Sequence, residues 1–455
     1  MSLRGKLFRF SALQAAIFGS LFTGALMASD DPVYDRLIGN ETEAIAAEQS
    51  ITTEQSISTE PTQSAGVSHR SDEVIRRIER DRLGELRSYD QPQAADPADA
   101  FFDSIEWGVV VAGELATNMN KADSYRRQTD ANYTADFGFL MHLGKRATFY
   151  GLLEAGYGYA LDGRIPTLAG FNDEIEPDRN LKFTELWYEQ LFGCNNCWRF
   201  RIGHLDLTTD FDTNNYANSG ISQFNSTGFV HNLTVAYEYA CPAFGVMLWR
   251  EFGEAVSVGA AYLAEDGELD IDRDCIPDGD DTWHDIFHHG FGILETDLHF
   301  ESDGHEGNLR LYGWVSRAGA YPYNEDGKKG TNAGWGSNFD QELSHYFGIW
   351  GRFGQGDAEY GIVSKHYSAG FQFQKFNACW MRDVIGVGYG ISKPGDWAEE
   401  EFENVGKEHF VEVYYRRVFN DFCHLSPYAQ FVTNPEGDKD ADSVFVLGIR
   451  GAFEI

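Results

Sequence analysis

The chain has 455 residues, a formal net charge of −35 from 71 acidic and 36 basic residues, and a negative mean hydropathy. Such a charge excludes a general nucleic-acid binder, because phosphate binding draws on clustered Lys and Arg. Beyond the N-terminal segment no apolar run approaches the roughly 20 residues that a membrane helix needs, which excludes a helical multispan protein.

Arg4, Lys6 and Arg9 precede "FSALQAAIFGSLFTGALMA", with small residues at Ala25 and Ala28. A basic flank before a short apolar run predicts a secretory signal over residues 1–28, the alternative being one retained membrane helix. Residues 29–69 are rich in Glu, Gln, Ser and Thr and almost free of aromatics, the composition of a disordered linker. In "SDEVIRRIERDRLGELRSY", Ser71 stands before Asp72 and Glu73, Val74 and Ile78 are four apart, and Leu83 and Leu86 are three apart. One short amphipathic helix is expected within residues 70–100, as a spacer or as a contact for an envelope partner. The prolines and small residues of "DQPQAADPADA" close this region, so a single large domain is expected over residues 101–455.

From Ile105 onward, segments of roughly 10 residues alternate apolar and polar side chains, as membrane barrels do. In "NYTADFGFLMHLG", Tyr133, Ala135, Phe137, Phe139, Met141 and Leu143 share a face opposite Thr134, Asp136, Gly138, Leu140 and His142. "HNLTVAYEYAC" places Leu233, Val235, Tyr237 and Tyr239 opposite Asn232, Thr234, Ala236 and Glu238, and "KHYSAGFQFQK" sets Tyr367, Ala369, Phe371 and Phe373 opposite His366, Ser368, Gly370, Gln372 and Gln374. A soluble sandwich also alternates, but three features favour lipid. Aromatics such as Trp107, Tyr188, Trp198, Tyr415 and Tyr428 fall near expected strand ends, as interfacial girdles do. Tight reversals near "GKRA", "GCNNC", "CPAF" and "NACWM" alternate with long polar excursions near 161–180, 205–230, 265–289, 318–340, 393–406 and 434–442. Finally, "SVFVLGIRGAFEI" carries an apolar face to Ile455, through Phe445, Leu447, Ile449 and Phe453. The expected fold is all-β: an antiparallel up-and-down transmembrane β-barrel of about 16 strands. At that size side chains alone do not fill the interior, so an aqueous channel is expected.

The segments "RDVIGVGYG", "KEHFVEVYYRRV", "LSPYAQFVTNPEG" and "VFVLGIRGAFEI" occur in this order. The ordered set resembles the carbohydrate-selective, OprB-type porins of Gram-negative outer membranes. "ELWYEQLF", "WRFRIGHLDLTTDF" and "LRLYGWVSRAG" resemble further strands of that family, and the end in Ile455 rather than an aromatic departs from it. The resemblance implies a passive outer-membrane channel for small hydrophilic solutes, carbohydrates among them, embedded in outer-membrane lipid, with a homotrimer as the common assembly. A general or cation-preferring porin and an envelope-tethering structural barrel are the alternatives.

Passive transport needs a corridor of polar groups that replace part of a solute's hydration without holding it tightly. Alternation turns Glu185, Trp187 and Glu189 away from Leu186 and Tyr188, and Arg199 and Arg201 away from Trp198, Phe200 and Ile202. By the same reading Glu154, Glu295, Asp297, Arg310, Trp314, Glu412, Arg416 and Arg450 face the lumen, as pore lining or as a charge ladder that pins the wall. "LDLTTDFDTNNYANSGISQFNSTGF" is too long and polar for a hairpin turn. Resemblance to porins implies that it folds inward as a constriction, with Asp206, Asp210, Asp212, Asn214, Asn215, Asn218 and Asn225 exchanging hydrogen bonds with hydroxyls, and Phe211, Tyr216 and Phe224 offering faces to sugar rings. An ordinary surface loop is the alternative.

Asp270, Asp272, Asp274, Asp278 and Asp281 stand at calcium-loop spacing, but Cys275 takes the glycine position and the last ligand is Asp rather than Glu, so a solvated acidic loop is the other reading. No other metal or cofactor is expected. The six cysteines are Cys194, Cys197, Cys241, Cys275, Cys379 and Cys423, all but Cys275 at expected short turns. Cys194 with Cys197 and Cys379 with Cys423 are candidate staples among the fifteen pairings that six cysteines allow. There is no Gly-x-Ser-x-Gly, His-Glu-x-x-His or phosphate loop, so no catalytic residue is expected.

Overall fold

The computed structural model describes residues 105–120, 125, 127–162, 164–173, 181–193, 196–236, 241–264, 290–317, 330–374 and 382–455. The expected signal, linker and short helix lie outside them, as do Cys194, Cys275, Cys379 and the aspartates Asp270, Asp272, Asp274, Asp278 and Asp281. Sixteen strands form one closed antiparallel barrel in which neighbours in sequence pair and β1 meets β16. The first eight are β1 Ile105–Asn118, β2 Thr129–His142, β3 Ala147–Tyr157, β4 Lys182–Phe192, β5 Trp198–Leu205, β6 Ala243–Glu251, β7 Val256–Ala264 and β8 Gly290–Ser302. They are followed by β9 His305–Ser316, β10 Asn332–Ser344, β11 Phe347–Gln355, β12 Val363–Gln374, β13 Val384–Pro394, β14 Glu408–Asn420, β15 Cys423–Thr433 and β16 Val444–Glu454. Among the described residues the α-helices are short, α1 Thr227–Val230 and α2 Trp397–Glu401.

Closure answers the edge problem that an open sheet would have in lipid, where every backbone donor and acceptor needs a partner. The register runs from Val110 opposite Glu454 to Asn118 opposite Val446, and Val109 and Ile455 exchange both backbone hydrogen bonds at 2.9 and 3.1 Å. The terminal residue is thus the last rung of the ladder. At the same rim the short turns sit; Asp303 and Gly304 both take positive φ, 54° and 80°, as a two-residue hairpin turn of matching twist requires.

Alternation separates the two faces. Trp107 (58%) and Tyr133, Phe137, Leu248, Leu311, Phe371 and Val413 are exposed on the outside, as are Phe445, Leu447 and Ile449 of the last strand, at 39–43%. An apolar belt this extensive on every side suits acyl chains. The inward face is polar but not empty. Two buried apolar clusters lie inside the barrel, one joining Tyr150, Trp187, Met247, Trp249 and Trp314 to Leu207, Phe211 and Ile221, the other joining Trp350, Phe410, Tyr414 and Tyr428 to Leu161, Phe171, Phe224 and Phe229. Loops, not wall side chains alone, fill much of the cross-section.

Three expectations are corrected. Residues 231–236 of "HNLTVAYEYAC" are not in a strand, and the next four lie outside the described residues: Asn232 donates to Asp212, Tyr312 and the Phe353 carbonyl, and the Thr234 hydroxyl donates to the Asn232 side chain, instead of to a ladder. "CPAF" is therefore no tight turn, and Cys241 lies at the long-loop rim before β6. Tyr428 is not in an outer girdle; it is 4% exposed and its hydroxyl donates inward to Glu114 at 2.5 Å. Cys197 and Cys423 are free thiols and Cys241 is disulfide-bonded, so neither candidate staple forms, and the partner of Cys241 lies outside the described residues.

Candidate functional site

The segment from Asp206 to Ala236 leaves β5 and turns into the barrel. A single turn of 3-10 helix, Leu207–Thr209, starts it, capped by the Asp206 carboxylate, which accepts from the Thr208 N–H at 2.9 Å and its hydroxyl at 2.5 Å. That turn points Asp210 back at the wall it left. Arg201 donates to Asp210 at 2.6 Å and to Glu189 of β4 at 3.0 Å, with its guanidinium 3.9 Å from the Trp187 ring centroid. Trp187 stacks on Tyr150 and donates to Glu185 at 3.0 Å. Arg199 reaches Asp210 at 2.8 Å and keeps 31% of its side chain exposed. The charges of β4, β5 and the loop form one network.

Farther along, the loop crosses to the opposite wall. Asp212, in left-handed backbone (φ 51°), meets Arg352 of β11 at 2.9 Å, while its own N–H donates to Glu295 of β8 at 2.8 Å. Arg352 also donates to the carbonyls of Phe229 (2.5 Å), Asp212 (3.0 Å) and Ala217 (3.3 Å). Asn214 donates to Asn338 at 2.5 Å and Asn215 to Asp340 at 2.7 Å, the same carboxylate that Arg310 of β9 holds at 2.6 Å. Tyr216 lies over Gly348, where a Cβ would come within 2.0 Å of its ring. The Asn218 N–H donates to Gln223 at 2.6 Å and so closes the bend at the loop's tip.

The returning limb is clamped to β14, β16 and β1. Glu412 accepts the N–H groups of Asn225 (2.7 Å) and Ser226 (2.8 Å), and the Asn225 amide donates to Glu114 at 2.7 Å. Arg450 donates to the Gly220 carbonyl, to that of Gln223 at 2.7 Å and to the Asn225 side chain at 3.0 Å; Arg416 donates to the Ser222 carbonyl at 2.8 Å. Phe224 sits at the centre of Phe229, Trp350 and Tyr414, with centroids 5.0–5.3 Å apart, and Phe211 packs on Trp249 at 5.1 Å.

These positions revise the expected roles of the loop aromatics. Phe211 and Phe224 have no exposed surface, so they anchor the loop and present no face to a solute. Tyr216 is half-buried, packed on the second apolar cluster. Of the thirteen wall residues singled out above, Glu154, Glu185, Trp187, Glu189, Arg201, Glu295, Asp297, Arg310, Trp314, Glu412 and Arg450 are buried on the inward face, and Arg199 and Arg416 are partly open. Trp314 stacks with Phe291, Asp297 stands opposite Arg310 in the register, and Glu154 stands opposite Asp136.

A second inward loop was not anticipated. After β3, Leu161, Ile165, Ala169 and Phe171 are buried against the returning limb, and Glu408 accepts the N–H groups of Leu168 and Ala169 at 2.8 and 2.7 Å. Asp162 accepts those of Phe171 and Asn172 at 2.7 and 2.8 Å. The residue keeps some surface, but its carboxylate oxygens turn onto these donors, and burial pushes its carboxyl up to about 8 despite them. Four apolar residues in an otherwise polar excursion were the available signal. Arg352 was equally available, since in "FGIWGRFGQ" it shares the parity of Gly348 and Trp350, opposite Phe347, Ile349 and Phe353.

The carbohydrate-selective porin, OprB family model matches residues 120–454. Among solved structures, the chain is similar to the high-pH structure of Pseudomonas putida OprB, with TM-score 0.65, 15% identity, and 79% of this chain and 96% of that chain covered. It is also similar to the low-pH structure of Pseudomonas putida OprB, with TM-score 0.50, 14% identity, and coverage of 79% and 95%. At these identities the likeness shows the fold. No curated protein matches the sequence. A closed sixteen-strand barrel with an apolar exterior and inward-folded loops, matched over most of its length by one family model, belongs to the carbohydrate-selective OprB porin family and is an outer-membrane channel of bacteria.

Proposed function

We propose that the Asp206–Ala236 loop is the selectivity element of this channel and that it favours neutral polyhydroxylated solutes over ions. The observation that carries the reading is the mutual pairing of the lumen's charges. Arg201 is held between Glu189 and Asp210, Arg352 by Asp212, and Arg310 by Asp340, while Arg416 and Arg450 are taken up by loop carbonyls. Paired charges present a weak net field, and what the corridor offers is a set of partly open hydrogen-bonding groups: Arg199, Asn215, Tyr216 and Arg416. Guanidinium, carboxylate and amide groups can exchange bonds with sugar hydroxyls, and a tyrosine ring packs on the apolar face of a pyranose.

A second reading, a cation preference, is favoured by the excess of inward carboxylates, Glu114, Glu154, Glu185, Glu295 and Glu408 among them, over inward arginines. Recording the refolded mature barrel in a planar bilayer separates the two. Stepwise conductance with saturable block by glucose or maltose oligomers supports sugar passage; conductance without block, with a reversal potential set by cations, supports the second reading. We further propose that residues 1–28 are removed on export and that the barrel assembles in lipid as a homotrimer, which the mass of the protein solubilised from membranes tests.

A further inference from the structure

The short-turn rim carries a constellation unrelated to the loops. β9 opens at His305, Glu342 lies near the end of β10, and His345 lies in the connection to β11. Nδ1 of His305 is 3.5 Å and Nδ1 of His345 is 3.4 Å from the same oxygen, Oε1 of Glu342. One ligand atom from each residue falls within 4.8 Å of the others, and the imidazoles meet edge to face with centroids 5.1 Å apart. Charge-assisted hydrogen bonds would be about 2.7–2.9 Å, so these contacts are too long for that role. His305 Nδ1 has no hydrogen-bond partner although it is shielded from solvent. The two separations from Glu342 do fit edges of a ligand tetrahedron, since bonds of about 2.0–2.2 Å place neighbouring ligand atoms about 3.3–3.6 Å apart.

The backbone holds this arrangement. The β10–β11 register slips between Glu342 and Ser344, leaving Leu343 as a bulge, a device that re-aims the side chains beside it. The Gln341 amide donates to the carbonyls of His305 (3.3 Å), Glu306 (3.1 Å) and Glu342 (2.7 Å), which ties together the backbones of two of the three residues. Gly307 makes room for that amide, since a Cβ there would lie 2.3 Å from Gln341 Oε1.

We propose that His305, Glu342 and His345 bind one Zn²⁺ at the short-turn rim, with water as the fourth ligand, and so staple the β8–β9 turn to the β10–β11 turn. Two imidazole nitrogens and one carboxylate oxygen suit zinc, whereas calcium and magnesium take oxygen ligands. The test is calorimetric titration of ZnCl₂ into the refolded, tag-free, chelator-washed chain in detergent, with the heat-dependent gel shift reporting that each sample is a folded barrel. One equivalent is expected to bind the wild type, and CaCl₂ is expected not to displace it. His345→Ala, whose side chain is 79% exposed and so leaves folding alone, is expected to weaken zinc binding by more than about 100-fold, and Gln341→Ala by about 10-fold. Co²⁺ alone is expected to give tetrahedral visible absorption that His345→Ala abolishes. No zinc binding by the wild type, or unchanged affinity in both His345→Ala and His305→Ala, overturns the proposal.

Discussion

Replacing Arg352 by Met tests whether one ion pair locks the loop across the lumen. The Arg352 side chain is 0% and that of Asp212 2% exposed, their contact is 2.9 Å, and the other guanidinium donors reach three loop carbonyls. Methionine keeps most of the volume and removes every one of these bonds. Breaking a buried pair by deleting one partner costs about 3–5 kcal/mol, chiefly because the remaining charge is stranded. At about 1.4 kcal/mol per decade, the fraction of channels with an undocked loop should rise by roughly two to almost four orders of magnitude. Single-channel recording should then show larger, noisier conductance, and limited proteolysis should cut within residues 206–236. Asp212→Asn combined with Arg352→Met removes the stranded charge and should recover part of the loss. A folded Arg352→Met barrel with wild-type conductance, noise and protease resistance would refute the assignment of this pair as the lock.

Arg201→Ala removes a cation that Glu189 and Asp210 share and leaves them Arg199, at 3.9 and 2.8 Å, so the reversal potential in a salt gradient should move toward cation preference; an unchanged potential would place these carboxylates outside the ion path. Phe224→Ala opens a cavity between Phe229, Trp350 and Tyr414 and should destabilise loop docking by about 3–5 kcal/mol, read as faster proteolysis of the loop. The Asp162 carboxyl is raised in the folded loop to about 8 from an ordinary value of 3.8, so its contribution is fully present below about 4 and is lost as pH rises through about 8. Protease sensitivity of residues 158–173 should therefore increase from pH 5 to pH 8.5, and Asp162→Asn should flatten that dependence.

Lipid-facing alternation is local, since successive side chains of a strand point to opposite faces and one face must be apolar in a bilayer. Barrel, strand number, closure and the apolar last strand were therefore legible in short windows of sequence, and the ordered C-terminal segments pointed to the family. The same locality misled over residues 231–236, where alternation occurs without a strand because Asn232 finds Tyr312 and Asp212 rather than a ladder partner. It misled again at Phe211 and Phe224, which look like sugar platforms in a polar loop but are covered by Trp249, Trp350 and Tyr414 from strands far along the chain.

The sequence by itself determined which residues of each strand face lipid and which face inward, because a period of two is written in the neighbouring residues. Only the tertiary structure decided what the inward groups meet. Arg450 on Gly220, Glu412 on Asn225 and Glu408 on Ala169 are contacts across some two hundred residues, set by how sixteen strands close and by which loops fold back through the ring. No local pattern encodes a distance across the lumen.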